Sequence, residues 1–194
     1  MGKSDVDKAD LRRTLLDRRA ALSAEAVQGA QEALGRRALD LPELADAGTV
    51  AAYVSVGREP GTRALLEALR ERGTRVLLPV LLPDNDLDWA AYRGPDHLVR
   101  AGRGLLEPDG ERLGPSAVTE AEAVLLPGLA VDGRGLRLGR GGGSYDRALA
   151  RLEGASVARV VLLYDHEVVG RVPAEAHDQP VDAVVTPGGV RRFR

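Results

Sequence analysis

The sequence predicts an α/β protein: a single three-layer, doubly wound domain with a mostly parallel sheet and helices on both faces. Three observations carry that reading. Short apolar, β-branched runs without helical spacing recur at residues 49–56, 75–82, 122–126, 157–164 and 182–186, as buried strands do. Helical patterns at residues 61–73 and 144–152 alternate with them. No linker is long enough to part the 194 residues into independent units, and no internal repeat is visible.

Taken in order, residues 5–22 read as a helix, because Val6, Leu11, Leu15 and Leu22 fall near one face among charged neighbours. Ser23 suits the N-cap of a second helix over residues 24–39, and Pro42 ends that stretch. This N-terminal segment, residues 5–40, is expected to pack on the sheet. The run at 49–56 is the first strand; Gly61 and Thr62 open a helix that buries Leu65, Leu66 and Leu69 and stops at Gly73. Residues 75–82 form a strand interrupted by Pro79, and the Asp84-Asn85-Asp86 turn leads to a weakly alternating strand at 87–92. Trp89 and Tyr92 read as sheet packing. Residues 94–120 are rich in Gly, Pro and charge and read mostly as loop. After the strand at 122–126 comes a long loop over 127–143, then a helix burying Leu149 and Leu152. Asp165-His166-Glu167 reads as a surface turn, and residues 188–194 as a flexible, Arg-rich tail.

Composition narrows the function. Lys+Arg is 27 against 29 for Asp+Glu, a balance that argues against a nucleic-acid coat or a polybasic membrane binder. There is no Cys, which excludes disulfides, thiolate metal sites and thiol nucleophiles. The longest apolar runs, residues 76–83 and 123–131, fall far short of the roughly 18–20 residues of a membrane span. The first ten residues are charged, so no signal peptide is read and a cytoplasmic location is expected.

The sharpest motif runs from Arg137 through Leu138, Gly139, Arg140, Gly141, Gly142, Gly143, Ser144, Tyr145 and Asp146 to Arg147. Four glycines in five positions free a stretch of backbone N–H groups to converge on an anion, and the helix that follows adds its dipole. Arg137 and Arg140 bring forks suited to phosphate oxygens. No Lys-Ser/Thr follows the glycines, so this is no P-loop, and the spacing does not fit a dinucleotide fingerprint. Asp146, in the first helical turn, suits either the helix dipole or a Mg²⁺ ion carried by phosphates. Lys8 and Arg12, four apart on the first helix, read from spacing alone as a solvated basic face near Asp7 and Asp10.

Further residues complete a pattern. They are Lys8, Leu11 and Arg12; Tyr53, Ser55, Glu59 and Thr62; Glu107-Pro108; the run from Pro127 to Asp132 ahead of the Gly-rich loop; and His177-Asp178 before Val181, Asp182 and Val184. In order and spacing they resemble the 5-formyltetrahydrofolate cyclo-ligase family over nearly the whole chain. The resemblance implies a Rossmann-like fold and an ATP- and Mg²⁺-dependent closure of 5-formyltetrahydrofolate to 5,10-methenyltetrahydrofolate. The expected partners are small molecules, without nucleic acid or membrane, bound by a monomer.

By the same resemblance, Lys8, Arg12 and residues 137–145 (Arg137, Leu138, Gly139, Arg140, Gly141, Gly142, Gly143, Ser144, Tyr145) contact ATP. Val54, Glu59 and residues 140–144 border the folate. Arg140, Tyr145 and Asp146 are catalytic, and Asp146 and Asp178 hold Mg²⁺. Three positions depart from the family's habit: Ser144 replaces an aromatic, Gly142 stands where some members carry Lys, and Val131 replaces Phe. Two other functions suit the same residues. One is a folate- or nucleotide-binding protein that keeps the loop without chemistry, which Ser144 would accommodate. The other is a sugar-phosphate enzyme on the same fold.

Overall fold

The computed structural model describes residues 3–193; Met1, Gly2, Arg194 and the side chains of residues 3–6, Val6 among them, lie outside the described residues. The first helix, α1, spans Lys3–Ala20. Helix α2, Ala24–Leu39, starts where Ser23 Oγ accepts the Ala26 amide at 3.0 Å, the capping bond its sequence predicts. A single turn, α3 (Pro42–Ala45), leads to strand β1 (Thr49–Ala51). Helix α4 (Arg63–Glu71), strand β2 (Arg75–Leu81) and strand β3 (Leu87–Ala91) follow.

Strand β1 is shorter than the apolar run at 49–56 predicts, and the cause is local. The Ser55 amide donates to Thr62 Oγ1 at 2.8 Å, the Thr62 amide donates to Ser55 Oγ at 2.9 Å, and Thr62 Oγ1 donates to the Tyr53 carbonyl at 2.7 Å. These side chains satisfy backbone groups that a longer strand would have paired in the ladder. The chain therefore leaves the sheet after Ala51 and turns back into α4. The same event accommodates Pro79. Strand β1 ends opposite Leu77, so Pro79 is paired with Trp89 of β3 alone, an edge-like position that tolerates a missing N–H.

Residues 94–120 hold more structure than their composition predicts. A hairpin of β4 (Leu98–Arg100) and β5 (Leu106–Pro108) is followed by a 3₁₀ turn over Pro115–Glu120 that buries Ala117 and Val118. Strand β6 (Ala123–Leu126) lies next. The expected long loop at 127–143 contains a second hairpin, β7 (Ala130–Val131) with β8 (Arg137–Leu138). Its turn is organised by buried Asp132, whose carboxylate accepts the amides of Arg134 at 2.9 Å and Val172 at 2.9 Å. Helix α5 (Ser144–Arg151), strand β9 (Ala158–Leu162) and strand β10 (Ala183–Thr186) complete the alternation. The expected tail is a strand instead. Residues Gly189–Arg192 form β11, antiparallel to β10, because a Gly–Val–Arg–Arg run at a sheet edge keeps its charges in water while its backbone pairs.

The main sheet has the order β11-β10-β9-β6-β1-β2-β3, with a parallel centre and antiparallel edges. On one face, Leu34 and Ala38 of α2 and Leu65, Leu66 and Leu69 of α4 pack on Val50, Val76, Leu78 and Leu125. On the other, Ala148 and Leu149 of α5, with Val118, cover Leu77, Trp89, Val124 and Val161. Truncating any of these buried leucines to Ala removes about 2–5 kcal/mol. A third cluster joins Leu15 of α1 to Leu129, Ala130 and Leu138 of the second hairpin. That contact seats α1 over the Gly-rich loop.

Candidate active site

The site lies past the carboxyl ends of the parallel strands, where open α/β sheets bind ligands. Its floor is the Gly-rich loop between β8 and α5. Gly141 (φ +101°) and Gly143 (φ +76°) adopt left-handed conformations that side chains disfavour, and Gly143 is the N-cap of α5. The far end of α5 is tied down by Arg151, whose guanidinium donates to both carboxylate oxygens of Asp86. The helix N-terminus and its dipole are therefore held in place at the loop.

Helix α1 lies over this floor with a charged inner face. Lys8, Arg12, Leu15 and Arg19 recur at helical spacing, and Lys8, Leu15 and Arg19 are buried. Arg12 Nε donates to the Gly139 carbonyl at 2.9 Å, and a side chain at Gly141 would meet the Arg12 guanidinium carbon at 3.3 Å. Lys8 Nζ lies 3.2 Å from Asp178 Oδ2 and 3.5 Å from Glu175 Oε2. Of the basic face suggested by spacing alone, Lys8 is thus buried and Arg12 half-buried.

The remaining predicted residues divide. Arg140 reaches Glu59 across the cleft, Nη2 to Oε1 at 3.6 Å, which joins the Gly-rich loop to the turn after β1. Glu59 is largely buried, and burial raises its carboxyl above the ordinary range against the opposing pull of Arg140. Val54 lies on the same turn, buried in the core face. Arg137 points inward: its side chain is 5% exposed, donating to the Pro127 carbonyl at 2.8 Å and lying 3.3 Å from Asp146 Oδ1. Its guanidinium also covers the Tyr145 ring at 5.8 Å. It orients Asp146 and Tyr145 more than it faces solvent. The Leu138 side chain belongs to the α1 cluster, so its backbone alone can face a ligand. Burial pushes the Tyr145 phenol well above its ordinary value, which favours the protonated form. Gly142 and Ser144 lie along the open rim of the loop. Asp178 joins Glu175 and His177 in a group whose ligand atoms lie within 4.8 Å of one another; Asp146 is not in that group.

The chain matches the 5-formyltetrahydrofolate cyclo-ligase family over residues 4–187. The chain belongs to that family. It is 43% identical over 191 residues to the 5-formyltetrahydrofolate cyclo-ligase of Mycolicibacterium smegmatis, covering 95% of each chain. It is 34% identical over 175 residues to that of Escherichia coli, covering 89% of this chain and 96% of the relative. Its structure resembles that of the Aquifex aeolicus 5,10-methenyltetrahydrofolate synthetase, with a TM-score of 0.82 and 31% identity over 96% of this chain and 93% of that one.

For a cyclo-ligase family member, sequence reasoning missed four residues of the site. Arg19 and Glu167 form a buried fork at the far end of α1, Nε to Oε2 at 2.7 Å and Nη2 to Oε1 at 2.9 Å. Arg19 Nη2 also donates to the Gly128 carbonyl at 2.6 Å. The Asp165-His166-Glu167 turn is therefore no mere surface feature: Glu167 is wholly buried. The spacing of Arg19 from Lys8 and Arg12, eleven and seven residues on, was the available signal. Glu175, close to Lys8, had none, and Tyr53 stands in the pattern with Ser55, Glu59 and Thr62 without an assigned role.

Proposed function

We propose that this chain, acting as one domain and as a cytoplasmic monomer, closes 5-formyltetrahydrofolate to 5,10-methenyltetrahydrofolate with conversion of ATP to ADP and phosphate. The observation that carries this reading is the Arg140–Glu59 contact. It joins the Gly-rich loop to a largely buried carboxylate, which supports a reading of phosphate beside an acceptor for ring N–H groups. No helix among the described residues is long and apolar enough to cross a membrane. The exposed large apolar side chains, Val99, Leu113 and Val190, come from three separate segments and form no evident seam for a second copy.

The chemistry follows from the groups. A formamide oxygen is a poor leaving group. Transfer of the γ-phosphoryl group onto it releases ADP and turns that oxygen into part of a phosphate. Folate N10 then attacks the formyl carbon, the C–O bond breaks, phosphate departs and N10 gives up its proton. Phosphoryl transfer needs positioning and charge neutralisation more than covalent help from the protein. Lys8, Arg12 and Arg140 supply cations around the loop, whose amides and helix dipole complete the anion site. Within the protein these cations are matched by carboxylates: Lys8 by Asp178 and Glu175, Arg140 by Glu59. Nucleotide and folate would replace those partners, freeing Glu59 for the pterin N–H groups. Tyr145, protonated, donates toward the reacting phosphate.

Asp146, 37% exposed, and Asp178 each offer hard oxygen ligands of the kind Mg²⁺ takes beside phosphates, Asp178 grouped with Glu175 and His177 and Asp146 outside that group. When bound there, Mg²⁺ would neutralise phosphate charge. The test is ADP formation by the purified protein. Release that requires 5-formyltetrahydrofolate, in equal molar amount to methenyl product, is expected; ADP release indifferent to folate would refute the proposal.

A further inference from the structure

Two buried polar atoms of this site, Arg137 Nε and the Tyr53 hydroxyl, have no hydrogen-bond partner among the described residues, and of the two only the hydroxyl belongs to a side chain with no other polar contact. Tyr53 stands just past the carboxyl end of β1, 3% exposed, and its hydroxyl makes no hydrogen bond. The residue is held there by its own carbonyl, which accepts from Thr62. The ionisable groups that act on the hydroxyl belong to the site and its α1 anchor: Glu59, Tyr145, Arg19 and Glu167. Burial and the neighbouring Glu59 charge drive its ionisation well above the ordinary tyrosine range, so the phenol keeps its proton and can donate. Buried hydroxyls are nearly always satisfied, and one left over at the edge of a core cluster, among the charged groups of a site, invites a ligand atom.

The neighbouring carboxylate fixes what that atom should be. An ionised Glu59 can only accept, whereas a protonated Tyr53 can donate. Glu59 acts electrostatically on the Tyr53 hydroxyl, six residues before it in the chain, so the turn after β1 supplies both an acceptor and a donor. The pyrimidine edge of a 4-oxo pterin presents the complement, N–H donors beside a carbonyl oxygen. We propose that Tyr53 is a specificity-determining residue for the folate ring: its hydroxyl donates to the pterin carbonyl while Glu59 accepts from the adjoining N–H groups. This rests on the cyclo-ligase reading above. A pocket that uses a buried hydroxyl this way rejects an analogue whose matching atom is itself a donor.

The test is Tyr53→Phe, which removes one oxygen and no volume of consequence. Thermal melting of the free variant should match or exceed wild type, since an unsatisfied group has been deleted. KM for 5-formyltetrahydrofolate should rise about tenfold, with the loss falling on KM more than kcat. Calorimetry should show wild type preferring the 4-oxo compound over its 4-amino analogue by about tenfold or more, and Tyr53→Phe losing that preference. A variant that melts lower and keeps the wild-type preference would overturn the proposal, because the hydroxyl would then have a purely structural partner. An unchanged KM would also overturn it. Wild-type binding without turnover would refute the cyclo-ligase reading instead, and the oxo/amino ratio would still decide Tyr53.

Discussion

Replacing Glu167 by Ala should be the most damaging single change that touches neither nucleotide nor folate. The carboxylate is wholly buried and accepts three bonds: two from Arg19, at 2.7 and 2.9 Å, and one from the Tyr164 amide at 3.0 Å. Its removal leaves the 3%-exposed Arg19 guanidinium with the Gly128 carbonyl as its remaining partner and strands the Tyr164 amide. Breaking a buried ion pair from one side costs about 3–5 kcal/mol. For a chain of this size each kcal/mol moves Tm by about 2–4 °C, so a fall of roughly 6–20 °C is expected. Urea unfolding followed by far-ultraviolet circular dichroism measures the free energy directly. A second effect should accompany it. Arg19 is the far anchor of the helix that carries Lys8 and Arg12, so KM for ATP should rise at temperatures where the variant is still folded. The double variant Arg19→Met/Glu167→Leu should regain most of the stability, since no stranded charge remains. A loss under about 1 kcal/mol for Glu167→Ala would refute the reasoning, as it would mean that water reaches the pair.

Other consequences can be checked alongside. Asp146→Asn keeps the shape of the side chain but removes a charge beside Arg137; turnover should fall by about a hundredfold or more with the circular dichroism spectrum unchanged, and near-normal turnover would strip Asp146 of its assigned role. Gly141→Ala combines a φ of +101° with a methyl group 3.3 Å from the Arg12 guanidinium, so the variant should lose about 1 kcal/mol of stability and bind ATP more weakly, read by urea midpoint and calorimetry. Burial alone would raise the Asp132 carboxyl, but hydrogen bonds from the Val172 amide and Arg134 outweigh it and hold the group below its ordinary value. A depressed folded-state value stabilises above the unfolded one, so the stability gap between wild type and Asp132→Asn should be constant above about pH 5. It should shrink as pH falls below about 4 through the lowered value, and a gap independent of pH would contradict the assignment.

Much of this architecture is written in local patterns. Ser23 caps α2 where its hydroxyl predicts, and the apolar runs around Val76, Val124 and Val160 are central strands because both of their faces are covered. The Gly-rich loop ahead of α5 is legible because its glycines take the left-handed backbone that side chains disfavour, Gly141 and Gly143 among them. What escaped the sequence depends on distant partners. Strand β1 stops early because Ser55 and Thr62 clasp each other across a turn. The 188–194 segment reads as a tail because its apolar content is low, yet β10 offers it an open edge. Arg19 and Glu167 lie 148 residues apart, and nothing local marks them as a pair. Arg137 illustrates the converse: the motif reads it as a fork for phosphate, and its guanidinium turns inward to Pro127 and Asp146.

The central claim is that one cleft binds ATP and 5-formyltetrahydrofolate together and joins their chemistry. The most direct measurement is the near-ultraviolet absorbance of purified protein mixed with 5-formyltetrahydrofolate, ATP and Mg²⁺, against the same mixture without ATP. Growth of the methenyl band in the complete mixture, and none without ATP, is the predicted result. A flat trace with both ligands bound by calorimetry would contradict the account and leave a binding protein in place of an enzyme.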